Sequence, residues 1–287
     1  MKRRKLTLRQ IGRCAPQSVR NGEGEREHCL PDSVYKAAAN NVAAKTTKAK
    51  GGRLTRKRSR YAAAGCEEGA EHCVLDHANL DDAETKRLRR TLRTRRPAAW
   101  DAKPNQWLDN FNIAGCMKQY EIAVPWFRFL GVFPIDFSAP DPYKPSATPK
   151  CLHAELCSLP LRTEYEKGRR GLGAIFNLDP HYKGGSHWVG LYIDLHDIVH
   201  PRISYFDSYG YKTPTMIARL MRSFTLQIPG CELGFNARRF QFGDSECGMF
   251  SMYFLICMIH GIPFKEFCKD SVRDGFMLDL RKILFSK

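Results

Sequence analysis

The apolar residues of this 287-residue chain are patterned from Gln106 onward and scattered before it. The longest apolar run, Met249 to Ile259, follows the polar turn Gly243-Asp244-Ser245-Glu246 and ends in His260-Gly261-Ile262-Pro263. Turn and cap residues on one side, and Gly then Pro on the other, bound a buried helix of about three turns that begins at Cys247. Ile113, Cys116, Met117 and Tyr120 share one helical face, with Asp109 or Asn110 as N-cap. Thr215 to Leu226 is another amphipathic helix, through Ile217, Leu220, Met221 and Phe224, and 276–285 reads as a closing helix.

The extended segments are Phe127 to Phe137, interrupted by Pro134, then Leu172 to Leu178, His187 to Asp194 and Arg202 to Ser208. Residues 196–200 join the last two as a hairpin, and Asn236 to Phe240 is a short strand leading to Cys247. Four prolines make 138–150 a loop. Strands and helices mix without strict alternation, which predicts an α+β fold. In the first hundred residues only Leu80 to Arg96 reads as a helix, with Asp81 and Asp82 in its first turn and Pro97 as its stop. Two prolines mark 97–105 as a linker. The expected organisation is therefore a basic, low-complexity, largely disordered arm over 1–100, partly helical at 80–96, and a globular domain over 105–287.

Charge sharpens that division. The net charge is +16, with 24 Lys and Arg against 11 Asp and Glu in residues 1–100, and 22 against 19 in the rest. A basic arm suits a polyanion, most simply nucleic acid, or serves as a solubilising or targeting tail. The N-terminus lacks the apolar core of a signal peptide, and no apolar stretch reaches the ~18 residues of a membrane span. Eleven cysteines without a regular framework predict an intracellular protein with reduced thiols. The triplets Glu27-His28-Cys29 and Glu71-His72-Cys73, with Cys66 and His77 nearby, suggest a zinc site, but the Cys66–Cys73 spacing is wider than the usual pairs.

A cysteine as the first residue of a helix meets free N–H groups and the positive dipole end, which favour a thiolate. A thiolate nucleophile also needs an imidazole, a group to orient it and donors for the oxyanion. His187 opens a strand after the turn Lys183-Gly184-Gly185-Ser186, and Asp207 closes the next strand, so a hairpin can bring them together. Gln241, six residues before Cys247, offers an amide donor. His153, His181, His196, His200 and His260 lack this setting. By itself His187 is equally a surface or core histidine, and Asp207 a strand-ending turn residue.

Together, His187-Trp188, Phe206-Asp207-Ser208, Gln241 and Glu246-Cys247-Gly248 resemble the ubiquitin-like-protein (SUMO) protease family of cysteine peptidases. That family includes the adenovirus protease and the African swine fever virus polyprotein protease, and the style is closest to proteases of large DNA viruses. Trp107-Leu108-Asp109-Asn110 resembles the family's Trp-Leu-Asn-Asp box with the last two residues exchanged. The resemblance covers roughly 105–260 and implies a papain-like or adenain-like fold: a mixed central sheet with the nucleophile at the N-terminus of a buried helix. It implies Cys247 as nucleophile, His187 as general base and then acid, Asp207 as its orienting group and Gln241 as oxyanion donor. Trp107 and Trp188 would line a tunnel for a Gly-Gly stem, since only Gly passes between two indole faces without a Cβ clash.

Several functions share this chemistry. The first is a viral polyprotein or virion maturation protease that cuts after Gly-Gly-like sites, held near a genome by the arm. The second is a SUMO or ubiquitin-like deconjugating protease. A catalytically inactive nucleic-acid-binding virion protein is the reading from another class, which the complete tetrad opposes, and acyl transfer is a fourth. Protein substrates with Gly-Gly-X sites are the expected partners, with nucleic acid on the arm and no membrane. No metal or cofactor is called for, and DNA is a candidate activator. The expected location is host cytoplasm or nucleus, with packaging in the virion. Lys50-Gly51-Gly52-Arg53 is itself a Gly-Gly-X site, which suggests self-processing.

Overall fold

The computed structural model describes residues 5–18, 28–46, 59–142 and 151–287. It divides into two compact units: Thr7–Pro104 with Asp279–Lys287, and Met1–Leu6 with Asn105–Leu278.

The first unit departs from the expected disordered arm. Its main helices are α1 (Asp32–Thr46), α2 (Glu71–His77) and α3 (Asp82–Arg89). They enclose a core of their own, including Leu30, Val34, Tyr35, Tyr61, Val74, Leu75 and Leu88. A polar pin runs through it: Glu71 Oε1 accepts from Cys29 N, Leu30 N and the Tyr35 hydroxyl at 2.7–3.2 Å. The apolar positions here are contributed by helices and loops far apart in sequence, and the one long helix has only a weak apolar face. The expected 80–96 helix is only α3, N-capped by Asp81. Beyond it the chain turns so that Leu92 and Arg93 are buried. Arg93 donates to the carbonyls of Ile11 and Gly12. Strand β1 (Thr94–Arg95) then pairs in parallel with Phe285–Ser286, so the last residues belong to this unit, not to the expected 105–287 domain. Most of the basic stretch Lys45 to Arg60, with Lys50-Gly51-Gly52-Arg53, lies outside the described residues.

Cys14 is bonded to Cys29, Cys66 to Cys73 and Cys151 to Cys157, which corrects the expectation of reduced thiols throughout. Sequence spacing alone could not pair them, because the partners are brought together by loops between elements. Cys116, Cys231, Cys247, Cys257 and Cys268 are free. Ligand atoms of Cys66, Cys73 and His77 lie within 4.8 Å of one another, but the disulfide occupies both sulfurs.

The second unit is built on a five-stranded mixed sheet. Its strands are β2 (Phe127–Pro134), β3 (Gly171–Asn177), β4 (Trp188–Asp194), β5 (Arg202–Phe206) and β6 (Glu232–Phe235), hydrogen-bonded in that order. β3, β4 and β5 form the antiparallel centre, and β2 and β6 add in parallel at the edges. The pleat sends alternate residues to opposite faces. Leu172, Ala174, Phe176, Val189, Leu191 and Ile193 face a core shared with Ile217, Leu220, Met221 and Phe224 of α5 (Thr215–Thr225), which follows α4 (Asn110–Ala123) in the chain. The other face carries Gly173 and Gly190 and receives α6 (Cys247–Ile259). A Cβ at Gly190 would stand 2.8 Å from Phe254, so glycine lets this helix approach the sheet. Every residue of α6 is buried. The Tyr253 hydroxyl on α6 binds Leu6 through both its backbone N–H and its carbonyl. Two further helices, α7 (Phe264–Lys269) and α8 (Asp274–Leu284), close the chain.

Candidate active site

Cys247 is the first residue of α6, as its turn-then-apolar setting predicts. It is 3 % exposed, and no side chain caps the first amides of the helix from the N-cap position. The turn before it is tied down from α8: the Asp274 carboxylate accepts from the backbone N–H groups of Phe242 and Gly243 at 3.0–3.3 Å. Gly248 packs so tightly that a Cβ would lie 3.0 Å from Leu108 Cδ1 and 3.2 Å from Trp188 Cδ1.

His187 precedes β4 and Asp207 follows β5. The antiparallel register pairs Gly190 with Phe206, which brings the start of one strand beside the end of the other. His187 Nε2 lies 2.8 Å from Asp207 Oδ1, with the carboxylate fully buried. The Cys247 side chain lies near enough to the same ring to raise its pKa. With Nε2 taken by Asp207, Nδ1 is the nitrogen left for the thiol. Burial works against a charged ring, but the hydrogen bond to Asp207, its carboxylate charge and the nearby Cys247 side chain outweigh it. The His187 pKa is raised to about 9. The ring is therefore an imidazolium near neutrality, the partner that a thiolate nucleophile requires.

A carboxylate beside a histidine does not by itself single out His187. His181 pairs with Asp136, His196 with Asp194 and His200 with Asp197 at 2.7–3.0 Å. His196 and His200 are well exposed and His181 partly so, whereas His187 is buried and also meets a thiol.

Gln241 is fully buried. Its Oε1 accepts from Ser208 Oγ at 2.7 Å, its backbone N–H donates to Ser208 O, and Nε2 donates to Gly243 O at 2.9 Å. Ser208 thus fixes which way the amide points, and links Gln241 to the residue after Asp207.

Two residues escaped the sequence reading. The sequence predicts a strand over 236–240 that includes Asn236, but the strand is β6, Glu232–Phe235. Asn236 ends it, turns inward to 1 % exposure and uses its amide as a substitute peptide group: Oδ1 accepts from Asp207 N at 2.8 Å and Nδ2 donates to Asp207 O at 2.6 Å. Tyr209 stacks on His187 with ring centroids 4.8 Å apart and planes inclined by 25°, while its backbone N–H donates to Asp207 Oδ1. An Asn at a strand end and a Tyr two residues after the Asp are weak signals in sequence, because neither has a fixed spacing to Cys247.

The two tryptophans differ. Trp188 is 7 % exposed and its indole N–H donates to Leu108 O at 3.0 Å. Trp107 is 46 % exposed. Both line an open cleft of about 490 Å³, with Pro134, His153, Gly184 and Gly185 among its walls. Neither Cys247 nor His187 is among its lining residues; Trp188, next to His187 and against Gly248, is the link. The exchanged order Asp109-Asn110 has a local reason. Asp109 caps α4, accepting from Asn112 N at 2.7 Å while its own N–H donates to Asn112 Oδ1.

Residues 173–285 match the model of the Ulp1 protease family, C-terminal catalytic domain. The matched span contains His187, Trp188, Asp207, Gln241 and Cys247, and not Trp107. The chain is 27% identical over 194 residues to a thiol protease of Acanthamoeba polyphaga mimivirus, a match covering 64% of this chain and 58% of that one. It is 23% identical over 230 residues to a cysteine protease of African swine fever virus, covering 77% of this chain and 83% of that one. The crystal structure of an African swine fever virus protease shares the fold, with TM-score 0.66 at 18% sequence identity over 96% of this chain and 95% of that one.

Proposed function

We propose that this chain, which carries a cysteine protease domain of the Ulp1 family, cuts protein substrates after Gly-Gly-like sites. The observation that carries the reading is His187, held by Asp207 at 2.8 Å and set beside the Cys247 side chain at the head of α6. In the reaction Cys247 Sγ attacks the scissile carbonyl carbon, and the oxyanion forms against backbone N–H at the start of α6 and the second Nε2 proton of Gln241. The C–N bond then breaks, the leaving amine takes its proton from His187, and a thioester remains. Water, deprotonated by His187, attacks the thioester and releases the new carboxylate, returning the thiolate and imidazolium. Asp207 orients the ring and stabilises its charged form throughout. Trp107 and Trp188 flank the path to the sulfur, and the two indoles favour residues without a Cβ.

The relatives are proteins of large DNA viruses, which supports a polyprotein or virion maturation substrate. An African swine fever virus relative is named a SUMO-1 cysteine protease, which supports deconjugation as a second reading. The test is a cleavage series of Gly-Gly-X peptides, viral polyprotein junctions, and SUMO and ubiquitin fusions, with a Cys247→Ala control. Cleavage confined to the fusions would replace the first reading with the second, and no cleavage at all would overturn both. For the basic N-terminal hundred residues we propose binding to the packaged genome, with DNA as a candidate activator. Binding to duplex DNA should fall steeply with salt; a salt-independent affinity would exclude it.

A further inference from the structure

The surface beside the catalytic imidazole carries a second built feature. Arg239 lies over two rings, its guanidinium carbon 5.2 Å from the centroid of Tyr209 and 5.0 Å from that of Phe242. Tyr209 in turn stacks on His187 and leans on Tyr211, with centroids 5.7 Å apart. Phe242 and Tyr211 are 69 % and 65 % exposed, which is costly for large aromatics unless they meet a partner. The group is held firmly. The Tyr209 hydroxyl donates to Gly243 O, Arg239 Nε donates to Gln241 O, and Asp274 takes the Phe242 N–H. None of these four residues lines the cleft of Trp107 and Trp188.

Two flanks of a substrate must be accommodated. If the Gly-Gly side lies in the tryptophan cleft, the chain beyond the scissile bond must leave past His187, because His187 gives the departing amine its proton. What lies past His187 and outside that cleft is the ledge of Tyr209, Arg239 and Phe242. The steps from imidazole to Tyr209 and from Tyr209 to the guanidinium are 4.8 and 5.2 Å. Together they are within reach of two or three extended residues at roughly 3.3–3.6 Å each. A guanidinium placed over two rings still has N–H donors to offer, which suits a carboxylate. Asp244, whose charge reaches Tyr209, is the opposing group on this ledge.

We propose that Arg239, placed over Tyr209 and Phe242, binds an acidic side chain within the first three residues after the scissile bond of the substrate. This rests on the peptidase reading above, and makes the leaving segment a determinant of specificity alongside Gly-Gly.

The experiment uses the full chain and quenched fluorescent peptides that share a Gly-Gly stem and differ only in carrying Glu, Gln or Lys at each of those three positions. At one position at least, kcat/KM should follow Glu over Gln over Lys, with about a fivefold span between the extremes, the size of an exposed charge pair. The span should shrink in 1 M salt. Arg239→Gln should flatten the order and Arg239→Glu should reverse it. Equal cleavage of the Glu and Lys peptides by the wild-type chain at every position would overturn the proposal while leaving the peptidase reading standing. A preference that survives Arg239→Glu would overturn it as well. Failure of the wild-type chain to cut any peptide of the series would remove the peptidase reading, and the proposal with it. The wild-type series and its salt dependence decide the matter even if a variant fails to fold.

Discussion

Asn236 holds Asp207 by its backbone from both sides, accepting its N–H at 2.8 Å and donating to its carbonyl at 2.6 Å, with both residues buried. Asn236→Ala would leave a buried donor and acceptor of Asp207 without these partners, a loss of about 1–3 kcal/mol. Urea unfolding should show the loss, and kcat should fall because Asp207 no longer fixes His187. A variant as stable and active as wild type would contradict this role.

The pH dependence follows from His187. Its pKa is raised from near 6.5 to about 9, so the charged ring stabilises the folded state. That stabilisation is fully present below about pH 6.5 and is lost as pH rises through about 9. The alkaline limb of the kcat/KM profile should therefore lie near 9. Asp207→Asn should move that limb to lower pH and reduce kcat on the order of 10³-fold, with the fold retained by circular dichroism. A limb at the same pH in both proteins would show that Asp207 does not set the charge of the ring.

Loss of the Gln241 amide should cost on the order of 10²-fold in kcat with little change in KM. Gln241→Glu is the informative companion, since it keeps the size, can still accept from Ser208 and lacks the amide donor. If Gln241→Ala turned over like wild type, the oxyanion role would be wrong.

Gly248→Ala should displace Trp188 or Leu108, because the new Cβ would stand 3.0–3.2 Å from both. The expected result is a several-fold rise in KM for Gly-Gly peptides and a loss of about 1–3 kcal/mol in stability. Steady-state kinetics and thermal unfolding measure the two effects separately.

Three disulfides among eleven cysteines predict five titratable thiols in the denatured, unreduced chain and eleven after reduction. Thiol titration with dithionitrobenzoate gives both counts. Eleven before reduction would restore the fully reduced reading.

Much of the site was legible because its signals are local. Cys247 lies where a polar turn meets an apolar run, and His187 and Asp207 occupy the ends of two strands joined by a short connection. The N-cap at Asp109 and the helical faces of α4 and α5 are likewise properties of single windows. The folded character of residues 7–104 was not legible. Its core assembles from helices and loops whose apolar residues are few in any one window and find partners only across gaps, as Glu71 finds Cys29 and Tyr35. The high basic charge of that stretch concealed a core that needs only a handful of apolar side chains.

The sequence by itself determined the order and type of the central elements and the place of Cys247 at a helix start. Periodicity, capping and spacing are short-range rules, and these features obey them. Only the tertiary structure decided that His187, among four histidines with carboxylate partners, is the buried one that also meets a thiol. It alone placed Asn236 on the Asp207 backbone, Ser208 on the Gln241 amide, Tyr209 on the imidazole and Arg239 over Tyr209. Those relations join residues on different strands and loops, and their distances depend on how the sheet, α6 and α8 pack, which no window of sequence records.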